Sequence, residues 1–146
     1  MSDAPTSASA GCTCLRLRKA SRRISQIYDQ SLEPLGLTVT QFSLLGHLNT
    51  FSGISIGALA AKMVMDPTTL TRNLRPLERQ GYVVFAADPE DQRTRCPHLT
   101  AGGRKVYRDA RPAWARAQRH VDKVLGDLGG PPLNDVLDRV LERLAT

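Results

Sequence analysis

No apolar run in this chain approaches the roughly 18 to 20 residues that a membrane-spanning helix needs. Met1–Gly11 is small and polar, without the basic and apolar regions of a secretory signal. The chain is therefore expected to be cytoplasmic, with no membrane partner. Cysteine is scarce. Three residues, an odd number, argue against a structural disulfide framework and leave the thiols inert, metal-binding or redox-active. No Gly-rich phosphate loop, nucleophile elbow or carboxylate pair stands out, so the chain offers an enzyme little to work with. No Cys-x2-Cys or His-pair spacing fixes Cys12, Cys14, Cys96, His47, His98 and His120 as metal ligands, and neither a metal nor a cofactor is expected. Internal repeats are absent.

What is present fits one domain. A chain of 146 residues has room for a single core, and 41% hydrophobic with 23% charged residues excludes a wholly disordered chain. Twenty Lys and Arg against fourteen Asp and Glu give a formal charge of +6. Such a balance favours polyanionic partners. Sixteen of the twenty cations are arginine, whose planar fork suits phosphates and guanine edges. The excess is uneven, however. From Ser55 to Arg95 six cations face five acids, and most of the surplus falls on two stretches, Arg16–Arg23 and Arg104–Arg119.

The small, polar Met1–Gly11 is expected to be a disordered tail. From Leu15, apolar Leu17, Ala20, Ile24, Ile27 and Tyr28 recur at helical spacing until Pro34 and Gly36. Thr38-Val39-Thr40-Gln41 reads as a capping box opening an apolar second helix. Ser55 caps a short third helix. Asp66 as N-cap and Pro67 at the first helical position open a fourth, with Leu70, Leu74 and Leu77 as its buried stripe and Gly81 as its terminator. Tyr82–Ala87 and Arg93–Leu99 read as a hairpin with a polar tip at Asp88–Gln92, and Pro97 marks the return strand as an edge. Period-two alternation places Arg93 and Arg95 on one side, with Thr94, Cys96 and His98 on the other. Thr100 caps a long fifth helix, and Leu133, Val136, Leu137, Val140, Leu141 and Leu144 form a sixth after the Gly129–Pro132 turn. The fold class is thus mainly α with a small β-hairpin wing.

A short helix, a capped second helix and a basic-tipped hairpin are what a winged helix-turn-helix needs. Its second helix enters the major groove and its hairpin reaches the backbone or minor groove. Such a layout also serves as a protein-binding scaffold. The residues narrow the choice. Gly36-Leu37-Thr38-Val39-Thr40-Gln41-Phe42, Leu59-Ala60, Asp66-Pro67-Thr68-Thr69-Leu70-Thr71-Arg72, Leu77–Val83, Asp91-Gln92-Arg93-Thr94 and Leu99–Gly103 resemble the MarR family of bacterial transcription regulators. The resemblance runs from about Leu15 to Leu144. It implies one MarR-like domain over 12–146, dimeric through helices at about 14–33 and 100–145, with the winged helix-turn-helix at about 38–99. It also implies a homodimer on a near-palindromic double-stranded DNA operator, most often as a repressor released by an effector.

Thr68, Thr69, Thr71, Arg72 and Arg75 are the recognition-helix candidates, with Arg72 or Arg75 as a guanine reader and the threonines on phosphates or thymine methyls. Arg93 matches the family's wing arginine for the minor groove, with Asp91 holding it, and Arg95 suits a phosphate. The stretch from Cys14 to Arg22, with Tyr28 beyond it, resembles the first helix of the family's organic-hydroperoxide-sensing branch. That resemblance makes Cys14 the redox-sensing candidate and Tyr28 one of the tyrosines that hydrogen-bond its sulfur from the other subunit, although Arg18 replaces a second tyrosine. A helix N-terminus and nearby Arg16 and Arg18 favour a thiolate, and Cys12 is too near for an easy intrachain bridge. The other expected switch is a small anionic or phenolic ligand. A thiol peroxidase using Cys14 is the enzymatic alternative.

Overall fold

Local capping chemistry sets where the helices begin. The computed structural model describes residues 11–145; of the expected disordered tail, residues 1–10 lie outside the described residues. Helix α1 spans Thr13–Leu32, starting two residues earlier than the apolar periodicity suggests, because Cys12 caps it and its Sγ accepts the Leu15 N–H at 3.5 Å. A 3-10 turn, Glu33–Leu35, leads into α2, Val39–Thr50. The expected capping box is complete there: Thr38 Oγ1 accepts the Gln41 N–H, and Gln41 Oε1 accepts the Thr38 N–H. Ser55 caps α3, Ile56–Met63, and Asp66 Oδ2 accepts the N–H groups of Thr68 and Thr69 at the head of α4, Pro67–Arg79. Gly81, at φ +79°, ends α4 in a Schellman arrangement, its N–H on the Glu78 carbonyl and that of Tyr82 on the Leu77 carbonyl.

Strands β1, Val83–Ala87, and β2, Arg95–Leu99, pair antiparallel with Val83 opposite Leu99 and Ala87 opposite Arg95. Arg93 is not in the strand. It lies in the turn at the tip, so the expected alternation of Arg93 with Arg95 fails. Cys96 and its neighbour Pro97 are both fully buried, because helices α2, α3 and α5 all pack on β2. Helix α5, Ala101–Leu125, is capped by Thr100 and is followed by α6, Leu133–Leu144.

The core is leucine. Leu32, Leu44, Leu45, Leu48, Leu59, Leu70, Leu74 and Leu77 are essentially solvent-free, each burial worth about 1.5–3 kcal/mol. Alanines on α5 (Ala110, Ala113, Ala117) let α1 approach closely, and Ser31 Oγ donates to the Ala113 carbonyl at 2.6 Å. By contrast α6 buries none of its residues, and the first half of α1 is exposed along its whole circumference. Among the described residues, no helix is long and apolar enough to cross a membrane.

One turn is strained. Val64, between α3 and α4, sits at φ +50° and ψ +48° with its side chain in solvent. A β-branched residue is disfavoured in this left-handed region by about 1–2 kcal/mol. Since its side chain packs against little, Val64→Asn is expected to stabilise the protein by about 1 kcal/mol, measured by urea denaturation at fixed protein concentration.

Candidate nucleic-acid interface

The sequence candidates for DNA contact separate into two groups, all exposed except the half-buried Thr71. Pro67 and the Asp66 cap fix the start of α4, while Leu70, Leu74 and Leu77 anchor its inner side. Thr68, Thr71, Arg72 and Arg75 are thereby presented outward around an open hollow of about 420 Å³. Thr69 is exposed as well but does not line this hollow.

The wing tip is built by Asp88 and Asp91. Asp88 Oδ1 accepts the Glu90 N–H at 2.9 Å. Asp91 Oδ1 accepts the Arg93 N–H at 3.0 Å, and its Oδ2 accepts the Thr94 hydroxyl at 3.1 Å. Asp91 thus holds Arg93 by its backbone, leaving the guanidinium exposed. Arg95 stands exposed at the start of β2. Among the described residues the only ion pair joins Lys105 to Asp109, so none of Arg72, Arg75, Arg93 and Arg95 has a carboxylate partner.

Sequence reasoning missed how the segment from α2 to β2 is fixed to the long helices. Asp29 of α1 accepts the Val39 N–H at 2.8 Å, giving α2 a second cap from another helix. Thr100 Oγ1 accepts the Gly103 N–H and donates to the Gly81 carbonyl at 2.5 Å, tying the start of α5 to the end of α4. Nothing in the local sequence announces either bond. A further hollow, of about 310 Å³, opens between α2 and α5. Four of the chain's seven aromatic residues line it: Phe42, Phe51, Tyr107 and Trp114. His47 Nδ1 lies 2.7 Å from the Ser43 carbonyl, and Lys62 Nζ sits 4.2 Å from the Phe51 ring centroid.

Relatives of known type place this arrangement. The MarR family model matches residues 37–94. A transcriptional activatory protein, BadR of Rhodopseudomonas palustris, is 31% identical over 83% of this chain and 68% of its own length. The transcriptional repressor Rv2887 of Mycobacterium tuberculosis is 32% identical over 80% of this chain and 81% of its own. The chain belongs to the MarR family. It is a transcriptional regulator, not an enzyme. The solved structure of the M. tuberculosis regulator MosR in complex with DNA superposes with a TM-score of 0.79 at 36% identity, over 88% of this chain and 92% of that one. The MarR resemblance read from the sequence, and the winged-helix fold it implied, are therefore correct.

The thiols are unevenly placed. Cys12 and Cys14 are exposed at the head of α1, whereas Cys96 is buried beneath the wing. Within the chain, Tyr28 is buried against α5, where its hydroxyl donates to Gln118 Oε1 and Gln118 Nε2 donates to Asp122. Burial, and then the Asp122 carboxylate, raise the Tyr28 pKa above the usual tyrosine value, so it stays a neutral donor. Among the described residues, no three His, Cys, Asp or Glu side chains gather to hold a metal ion.

Proposed function

We propose that this MarR-family DNA-binding regulator acts as a homodimeric repressor that leaves a near-palindromic operator when an effector arrives. The observation that carries the reading is the set of four arginines, on α4 and the wing, exposed and without carboxylate partners among the described residues. Arg72 and Arg75 suit guanine edges in the major groove, and Arg93 the minor groove. The α6 helix supports the dimer: it buries nothing, and Leu141 and Leu144 stand in solvent together with Leu15 and Leu17 of α1. A two-fold partner would cover these faces. The direction of control follows Rv2887, named a repressor, rather than BadR, named an activator.

Release is proposed through Cys14. Its thiolate would attack the peroxide oxygen of an organic hydroperoxide, forming a sulfenic acid and expelling the alcohol; condensation with a second thiol would then release water. The exposed position in the first turn of α1 supports this route. A second route is favoured by the aromatic hollow between α2 and α5, whose walls suit a small phenolic or anionic ligand.

Anisotropy titration of DNA from upstream of the gene tests the reading. The fully reduced protein is expected to bind with a log–log salt slope of about −0.9 per phosphate neutralised. Hydroperoxide is expected to abolish that binding in the wild type and to leave Cys14→Ser bound. Equal binding in both states would sink the cysteine switch and send the search to ligands for the aromatic hollow. No binding at all would favour a protein-binding scaffold.

A further inference from the structure

The hydroxyl of Thr71 is already committed. Its Oγ1 donates to the carbonyl of Pro67, one turn back along α4, at 2.9 Å. Pro67 is the first residue of that helix, held there by its ring and by the Asp66 cap, so the acceptor is fixed. A threonine hydroxyl has a single proton to give. Phosphate oxygens, purine N7, guanine O6 and thymine O4 are all acceptors, and to serve any of them Thr71 would have to give up its bond to Pro67. Thr71 is half-buried, and with its oxygen turned back toward Pro67 the methyl is the other group that its β-carbon has for a partner in the hollow it lines with Thr68, Arg72 and Arg75.

We propose that Thr71 is a specificity-determining residue that recognises thymine through the base's 5-methyl group, by apolar contact and not as a phosphate anchor. This rests on the reading that α4 enters the major groove. The hydroxyl orients the side chain, and the methyl makes the contact. Beside two arginines suited to guanine, it would add preference for a neighbouring thymine.

The test uses the full chain and a duplex that the wild-type protein selects from a random-sequence library. Each thymine is replaced in turn by deoxyuridine, which removes only the methyl and requires no protein variant. One thymine per half-site is expected to be sensitive, with about a fourfold loss of affinity on replacement, the value of one buried methyl. Thr71→Val keeps the methyl and is expected to bind within about twofold of wild type, with the same uridine penalty. Thr71→Ser keeps the hydroxyl and is expected to lose about fourfold on the thymine duplex and to be indifferent to uridine there. If Ser binds as wild type and Val loses affinity, Thr71 acts through its oxygen, accepting from an adenine or cytosine amino group, and the proposal falls. It falls too if no uridine position responds to residue 71, while selection of a defined sequence leaves the major-groove reading standing. Selection of no sequence would overturn both.

Discussion

Gly103→Ala is expected to cost about 3 kcal/mol, whereas the same change at the adjacent Gly102 is expected to be neutral or stabilising. A Cβ at Gly103 would stand 2.1 Å from the Tyr82 carbonyl oxygen and 3.0 Å from its carbon, and the obstacle is backbone. Relief would require α5 to move away from the root of the wing. That movement would strain the bonds from Thr100 to Gly81 and from the Thr100 N–H to the Tyr82 carbonyl. A Cβ at Gly102 meets nothing closer than 3.6 Å, and alanine in a helical turn gains up to about 1 kcal/mol over glycine. Thermal unfolding of both variants at one protein concentration checks the pair. Overpacking of this kind costs about 1–3 kcal/mol or more, so the Gly103→Ala curve should lie well below the wild type and the Gly102→Ala curve on it or above it. Equal stability would mean that α5 is not seated against the wing.

The second large effect turns on sign. Arg93→Ala is expected to weaken operator binding by about 1–3 kcal/mol, roughly 5- to 150-fold, as for loss of a specific groove contact. Asp91 is a carboxylate two residues from that arginine. If it were merely a charge near the phosphates, removing it would tighten binding. Because its two oxygens hold the Arg93 N–H and the Thr94 hydroxyl, Asp91→Ala is expected instead to weaken binding about tenfold, by letting the tip wander. Anisotropy titrations at one salt concentration distinguish the two outcomes. Tighter binding by Asp91→Ala would remove its role as the organiser of the wing.

Those two sites also mark how far the sequence could be read. Thr38 with Gln41, Ser55, Asp66 with Pro67, and Thr100 were legible because a cap joins residues two or three apart. The buried leucines of α4 were legible because helical periodicity is local too. Bonds that cross the fold leave no such trace: Asp29 reaches ten residues to Val39, and Thr100 reaches nineteen back to Gly81. Period two failed in β2 because that strand is enclosed by three helices, so Pro97 is buried beside Cys96 instead of facing water. Among the candidate site residues, the grouping of Thr68, Thr71, Arg72 and Arg75 was legible as one side of a helix. Arg93 was visible by resemblance, but its place in a turn was set by the side chain of Asp91.

The distribution of charge has a kinetic consequence. Helices α1 and α5 together carry twelve cations against three acids, while Ser55–Arg95 has an excess of one. Attraction at long range sums all charges and is screened within about 8–10 Å at physiological salt, whereas desolvated contacts at a groove are screened much less. If the four arginines at α4 and the wing make the groove contacts, as proposed, arrival at DNA would draw on the cations of the two long helices and departure would be governed by those four. Raising the salt should slow the encounter far more than it hastens escape.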